Sequence, residues 1–175
     1  MITGDERLNA FIDSLDTGNT PFLNEIEKEA KETNVPIIRT QVQSLLKLLL
    51  AMRKPATILE VGCAIGFSAL LMSEYGPEDC HITTIEKYEK RIPVARENFR
   101  RAGKEERITL LEGDAAEILQ KMTGAYDMIF MDAAKGQYIH FLPEALRLLR
   151  AGVILVSDNV LQDGDIIESH YAVER

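Results

Sequence analysis

Cysteine is scarce in this chain: only Cys63 and Cys80 are present. Their placement has neither metal nor disulfide spacing, which suits a reducing cytoplasm. Long apolar runs are missing too. None approaches the roughly 20 residues that span a bilayer, so no membrane association is expected. The first residues are acidic where a leader would be basic and then apolar, so no signal peptide is expected. Positive charge is also short. With 20 Lys and Arg against 28 Asp and Glu, the net charge is −8, which gives no overall attraction to nucleic acid. What remains is an ordinary globular composition. The 175 residues are 46% hydrophobic and 27% charged, enough for one domain with a real core.

The basic residues are unevenly spread. From Lys87 to Arg107 there are eight (Lys87, Lys90, Arg91, Arg96, Arg100, Arg101, Lys104, Arg107) against four acids. Such a run can meet an anionic partner, but a charge run is more often the solvated face of a helix.

Two regimes follow one another along the chain. Residues 1–54 read as helices. Leu8, Phe11, Ile12 and Leu15 have helical spacing. Thr20 can cap a second helix with Pro21 in its first turn, and Phe22, Ile26 and Ala30 form its stripe. Thr40 and Gln43 look like a capping box for a third helix, which carries Val42, Leu45, Leu46, Leu49 and Met52. Its leucines point to burial against a sheet or a second subunit. From residue 57 strands and helices alternate. Strands are expected at 57–61, 81–85, 107–111, 126–131 and 152–157, and helices at 67–75, 89–102, 114–122 and 137–149. Short apolar strands separated by helices give a doubly wound, mostly parallel α/β sheet. All strand C-termini then share one edge, where ligands bind. Residues 161–175 read as a loop. An exposed fifth strand is an edge liability, so further C-terminal strands are expected beyond this sequence.

The most informative stretch runs from Thr57 to Ser68. A strand ends at Glu60-Val61, passes through Gly62-Cys63-Ala64-Ile65-Gly66, and opens a helix at Phe67-Ser68. A turn without bulk lets the backbone approach a ligand, and free N–H groups of the next helix face it. A dinucleotide fingerprint would need a small residue where Phe67 stands, and Glu60 would repel a pyrophosphate. A dehydrogenase-like dinucleotide binder is therefore the weaker alternative. A cationic ligand without phosphates, such as S-adenosylmethionine, suits the turn better. A plain strand-to-helix connection remains the simplest use of it. Cys63 is then a small residue that fits the turn.

Other strand ends carry acids. Glu86, twenty residues after Gly66, can accept from ribose hydroxyls. Asp114, in Glu112-Gly113-Asp114-Ala115, can meet an adenine amino group or simply cap a helix. The fourth strand runs into Asp132-Ala133-Ala134-Lys135-Gly136, the fifth into Asp158-Asn159. Neighbouring strands would gather Asp132, Asp158 and Asn159. Three hard oxygen donors suit Mg²⁺, Mn²⁺ or Ca²⁺, not zinc. Lys135 beside such a cation would have a lowered pKa and serve as general base.

Taken together, these motifs resemble the metal-dependent O-methyltransferases of the catechol and caffeoyl-CoA type, over about residues 35–160. Val35-Pro36-Ile37 and the run Asp132 to Tyr138 resemble its bacterial branch that methylates 5-hydroxyuridine at the tRNA wobble position. The resemblance implies a Rossmann-like methyltransferase domain over residues 1–175, with a helical segment (1–54) and an α/β core (55–160). It implies that Ile38, Glu60, Gly62, Cys63, Ser68, Glu86, Asp114, Ala115 and Asp132 bind S-adenosylmethionine. Asp132, Asp158 and Asn159 would bind the metal, Lys135 and Asp132 would be catalytic, and the chain would form a homodimer through its N-terminal helices. Ala64 stands where many methyltransferase turns have glycine, and the family's closing antiparallel strands are absent from the sequence. A catechol and 5-hydroxyuridine both offer two neighbouring oxygens, so the metal chemistry does not choose between them; with the resemblance to the tRNA branch and the basic run, 5-hydroxyuridine at the tRNA wobble position is the leading expectation and a small catechol-like acceptor the alternative.

Overall fold

The computed structural model describes residues 6–133 and 135–160, without the side chains of Glu6, Arg7, Asn9, Asp13 and Lys135. The loop expected at 161–175 lies outside the described residues. Three helices come first: α1 (Glu6–Ser14), α2 (Pro21–Glu32) and α3 (Thr40–Arg53). Thr20 caps α2 by accepting the N–H of Leu23, and Pro21 sits in the first turn, where no N–H is needed. The capping box at Thr40 and Gln43 does not form. Arg39 occupies the cap position of α3. The buried Gln43 amide instead donates to the Ile38 carbonyl at 3.0 Å and accepts from Asn19 Nδ2 at 2.7 Å. A buried amide needs partners at both ends, and these two satisfy it. The inner stripe of α3 is also rotated from expectation. Leu46 and Leu50 are buried, while Leu45, Leu48 and Met52 face out, as do Phe11 and Leu15 at α1.

The α/β part follows as β1 (Thr57–Val61), α4 (Phe67–Tyr75), β2 (His81–Glu86), α5 (Ile92–Arg101), β3 (Ile108–Glu112), α6 (Ala115–Lys121), β4 (Tyr126–Met131), a 3₁₀ turn (Lys135–Gln137), α7 (Tyr138–Leu148) and β5 (Leu149–Ser157). The sheet is parallel throughout, in the order β3-β2-β1-β4-β5. Strand side chains alternate between two apolar layers. Ile58, Ile82, Met128 and Phe130 pack under α2 to α5, whereas Leu59, Ile85, Ile129 and Met131 pack under α6 and α7. Among the described residues no helix is long and apolar enough to cross a membrane. Strand β5 begins three residues before its expected start. Leu149 pairs with Tyr126, and the register then shifts before Met128 meets Ile154. Gly152, at φ +81°, lies within this irregular stretch.

Strand order reverses between β1 and β4, and there the crossovers leave a crevice at the strand C-termini. The register brings Val61, Ile85 and Met131 level, and Met131 level with Ser157. The residues just past these tips are therefore neighbours.

Candidate active site

The glycine turn is packed against the tip of β4. A Cβ on Gly62 (φ +104°) would lie 2.2 Å from the Asp132 carbonyl oxygen, so only glycine permits this approach. Asp132 N–H donates back to Val61 O at 2.9 Å. Gly66 opens α4 in the left-handed region, with the Phe99 ring where a Cβ would go. Asn98, buried on α5, holds the turn by donating to Ile65 O at 2.9 Å. Ala64 is left-handed without being glycine (φ +49°), and its N–H donates to Glu86 Oε2 at 2.7 Å. A left-handed alanine costs about 1–2 kcal/mol. Ala64→Gly is expected to raise stability by about 0.5–1 kcal/mol, because strain relief exceeds glycine's entropy cost. A urea midpoint that falls in the variant would contradict this.

Beyond the turn lies a cavity of about 650 Å³. Of the residues expected at the cofactor, Ile38, Gly62, Cys63, Ser68, Glu86, Asp114, Ala115 and Asp132 all line it, and so does Asn159. Ile38 reaches it from the segment that Gln43 ties down. Glu86 is more committed than expected. It accepts from the N–H groups of Ala64, Lys87 and Tyr88 at 2.7, 3.0 and 2.8 Å. Asp114 caps α6 through the Ala116 N–H at 2.9 Å. That N–H, with the Lys87 ammonium at 3.3 Å, holds its carboxyl below the usual range. The Cys63 thiol is buried and pushed well above its ordinary pKa, which makes it inert and fits its reading as a small turn residue.

Glu60 does not line the cavity; it stands behind the turn, fully buried. Strand register sets it between Thr84 on β2 and Phe130 on β4. Thr84 Oγ1 donates to Oε2 at 2.5 Å, but Oε1 has no hydrogen-bond partner. Burial pushes this carboxyl up to about 7, the Ser68 and Thr84 hydroxyls oppose the shift, and the charges of Asp132 and Glu86 add to it. An orphaned buried oxygen with two further acids nearby, Asp132 and Glu86, is a site short of positive charge. The cavity therefore fits a cationic cosubstrate. Thr84 carried no functional signal in the sequence, where it follows a second threonine, Thr83, on the same strand.

On the other side, β4 and β5 bring Asp132 and Asp158 level, and Asp158 N–H donates to Met131 O at 3.0 Å. Asn159 is left-handed (φ +55°). Its N–H donates to Asp158 Oδ1 at 2.7 Å and its side-chain amide faces Oδ2 at 3.4 Å. Among the described residues no cluster of three or more His, Cys, Asp or Glu could hold a metal ion. The expected set is two carboxylates and one amide. All three are oxygen donors, the chemistry that a hard divalent cation takes. Lys135 lies in the 3₁₀ turn just beyond, and its side chain is outside the description. Sequence reasoning gave Tyr138 no role, yet its hydroxyl lies 3.1 Å from both the Met131 and Asp158 carbonyls. Burial, then the Asp132 charge, pushes its pKa up to about 12, so it keeps its proton.

The basic run does not form an open patch. Lys87 pairs with Asp114, Arg96 with Glu112, Arg100 with Glu97, Arg101 with Glu25 and Glu29, and Lys104 with Glu74. Arg107 donates to backbone carbonyls of Pro77 and Cys80. Arg91 and Lys87 do line the cavity, with Arg91 over the Tyr88 ring.

Parallel sheet, glycine turn and acid-lined cavity at the switch point define a Rossmann-like methyltransferase. The chain belongs to the O-methyltransferase family of the catechol and caffeoyl-CoA type: the family's profile matches residues 13–175. It is 35% identical to a catechol O-methyltransferase of Niastella koreensis, over 71% of this chain and 58% of that one. With a catechol O-methyltransferase of Mycobacterium tuberculosis it shares 31% identity over 91% of this chain and 74% of the other. The chain thus spans less than two thirds of the first relative's length. Among solved structures, the SAH-bound Podospora anserina methyltransferase PaMTH1 matches with a TM-score of 0.85 and 32% identity, covering 92% of this chain and 71% of that one.

Proposed function

We propose that the chain is an S-adenosylmethionine- and divalent-metal-dependent O-methyltransferase acting on a hydroxyl that has a neighbouring oxygen. The observation that carries this is the convergence, at one switch point, of an orphaned buried carboxylate (Glu60 Oε1) with three oxygen donors from adjacent strand tips. S-adenosylmethionine supplies an electrophilic methyl group, and a divalent cation supplies Lewis acidity toward the acceptor oxygens. Asp132 faces the cationic end of the cosubstrate and Glu60 adds negative charge from behind the turn, with Gly62, Cys63 and Ser68 around the methionine part. Glu86 takes the ribose, Asp114 and Ala115 the adenine. Asp132, Asp158 and Asn159 hold the cation. Lys135 takes the acceptor's proton, and the rigid strand tips supply alignment. Ile38 and Phe141 help to keep water from the cavity they line.

For the acceptor we favour a small catechol-like molecule. The two sequence relatives named above are catechol O-methyltransferases, and five of the eight basic residues in the run that suggested an RNA partner are held in ion pairs. The second reading is tRNA carrying 5-hydroxyuridine, favoured by Arg91 and Lys87 at the cavity. Labelled-methyl transfer to a catechol and to 5-hydroxyuridine-containing tRNA separates them. Transfer to the catechol, lost in chelator, is expected; transfer to the tRNA alone would reverse the order. The outward apolar faces of α1 and α3 support a homodimer through these helices, with the protein working in the cytoplasm.

A further inference from the structure

Tyr138 opens α7 immediately after the 3₁₀ turn that carries Lys135. Its hydroxyl reaches two carbonyls, Met131 O on β4 and Asp158 O just past β5, each at 3.1 Å. One proton serves two acceptors, so the bond is shared between the strand tips. Both carbonyls adjoin the oxygen donors: Met131 precedes Asp132, and Asp158 is itself a donor that precedes Asn159. The tip of β5 has few other ties. Among the described residues β5 pairs with β4 alone, and past Ser157 the Asp158 N–H to Met131 O bond continues that pairing. Asn159 then turns through a left-handed conformation that a side chain adopts at a cost. Two tips that each carry ligands on one or two residues need their separation fixed, since ligand geometry is set by the groups that hold the ligands.

We propose that Tyr138 is a positioning residue: its hydroxyl clasps the tips of β4 and β5 and so sets the spacing of Asp132, Asp158 and Asn159 for a divalent cation. It acts through their backbone, at the Met131 and Asp158 carbonyls. The inference rests on the metal-dependent reading above. The ring packs against the apolar layer under α6 and α7, so the hydroxyl can be removed while the ring stays in place.

The test is Tyr138→Phe, read by Mn²⁺ binding in electron paramagnetic resonance, with S-adenosylmethionine affinity measured by calorimetry without metal. The Mn²⁺ dissociation constant is expected to rise about 10- to 100-fold, as when a group behind a metal ligand is lost. Cosubstrate affinity should change by less than about threefold, because of the groups assigned to it only Asp132 lies at the clasped tips, while Glu60 and the glycine turn lie on the other side of β4. Para-aminophenylalanine at position 138 keeps a donor at the ring tip and should recover Mn²⁺ affinity. Equal Mn²⁺ affinity in wild type and Tyr138→Phe would overturn the role of Tyr138 while leaving the metal reading in place. Absence of Mn²⁺ binding to the wild type would overturn that reading and the inference with it. A Tyr138→Phe chain that fails to fold would make the hydroxyl a structural tie of the sheet and also overturn the positioning role.

Discussion

Asp158→Ala is expected to lower methyl transfer by about 10³-fold or more at saturating Mg²⁺, while S-adenosylmethionine binding is retained. The size follows from the several kcal/mol that Lewis-acid stabilisation supplies, at about 1.4 kcal/mol per decade of rate. The selectivity follows from where the side chain sits. Asp158 holds the sheet edge through its backbone: its N–H bonds Met131 O and its carbonyl accepts from Tyr138. Alanine keeps both bonds. What is lost is one carboxylate of the three oxygen donors, plus the acceptor for the Asn159 N–H. The cosubstrate residues Gly62 and Cys63 lie in the turn after β1, Ser68 on α4 and Glu86 at the end of β2, and none bonds that carboxylate. Turnover is measured by labelled-methyl transfer across an Mg²⁺ titration, and cosubstrate binding by calorimetry. A variant within tenfold of wild-type turnover would remove Asp158 from the reaction. A variant that loses cosubstrate binding equally would make Asp158 a structural acid.

The elements that carry this chemistry were the legible ones. Thr57–Val61, Phe67–Tyr75 and Tyr126–Met131 fall where the apolar runs and glycines put them, because buried parallel strands have no polar face to confuse the pattern. Failures came wherever a distant partner decided. Gln43 had a local use as a cap, and Asn19, twenty-four residues earlier, gave it another. The partners of the basic run from Lys87 could not be read locally, because Glu25, Glu29, Glu74 and Glu112 come from other elements. The early start of β5 was hidden by Arg150, Ala151 and Gly152, which break the apolar run while the backbone stays paired. In the site, spacing identified which acids stand at strand ends, but not which way each faces. Glu60 was expected as a wall of the cavity. Alternation along β1 puts it with Ile58, on the layer under α4, where register to Thr84 and Phe130 buries it.

That burial gives Glu60 a measurable signature. Its carboxyl is raised from 4.5 to about 7 in the folded chain, with burial the main cause. Between these values the folded state holds a proton that the unfolded state has released. Stability from this group is therefore complete below about pH 4.5 and falls as pH rises to about 7, by roughly 3 kcal/mol at 1.36 kcal/mol per unit. Glu60→Gln removes the titration, so the loss of stability between about pH 5 and 7.5 should flatten and the variant should melt higher than wild type at pH 8. Cosubstrate binding should move the opposite way. A cationic ligand draws on the ionised carboxylate, so wild-type affinity for S-adenosylmethionine should rise with pH through 7 as Glu60 deprotonates. The glutamine variant should show no such rise from this group and should bind about 100-fold more weakly at pH 8, on the scale of losing a charged partner to a buried ligand. Calorimetry across this range, with release of protons on binding near pH 6.5, checks the pair of effects. Wild-type affinity that is flat with pH, together with a glutamine variant that binds as tightly, would mean that the orphaned oxygen of Glu60 does not face the cation.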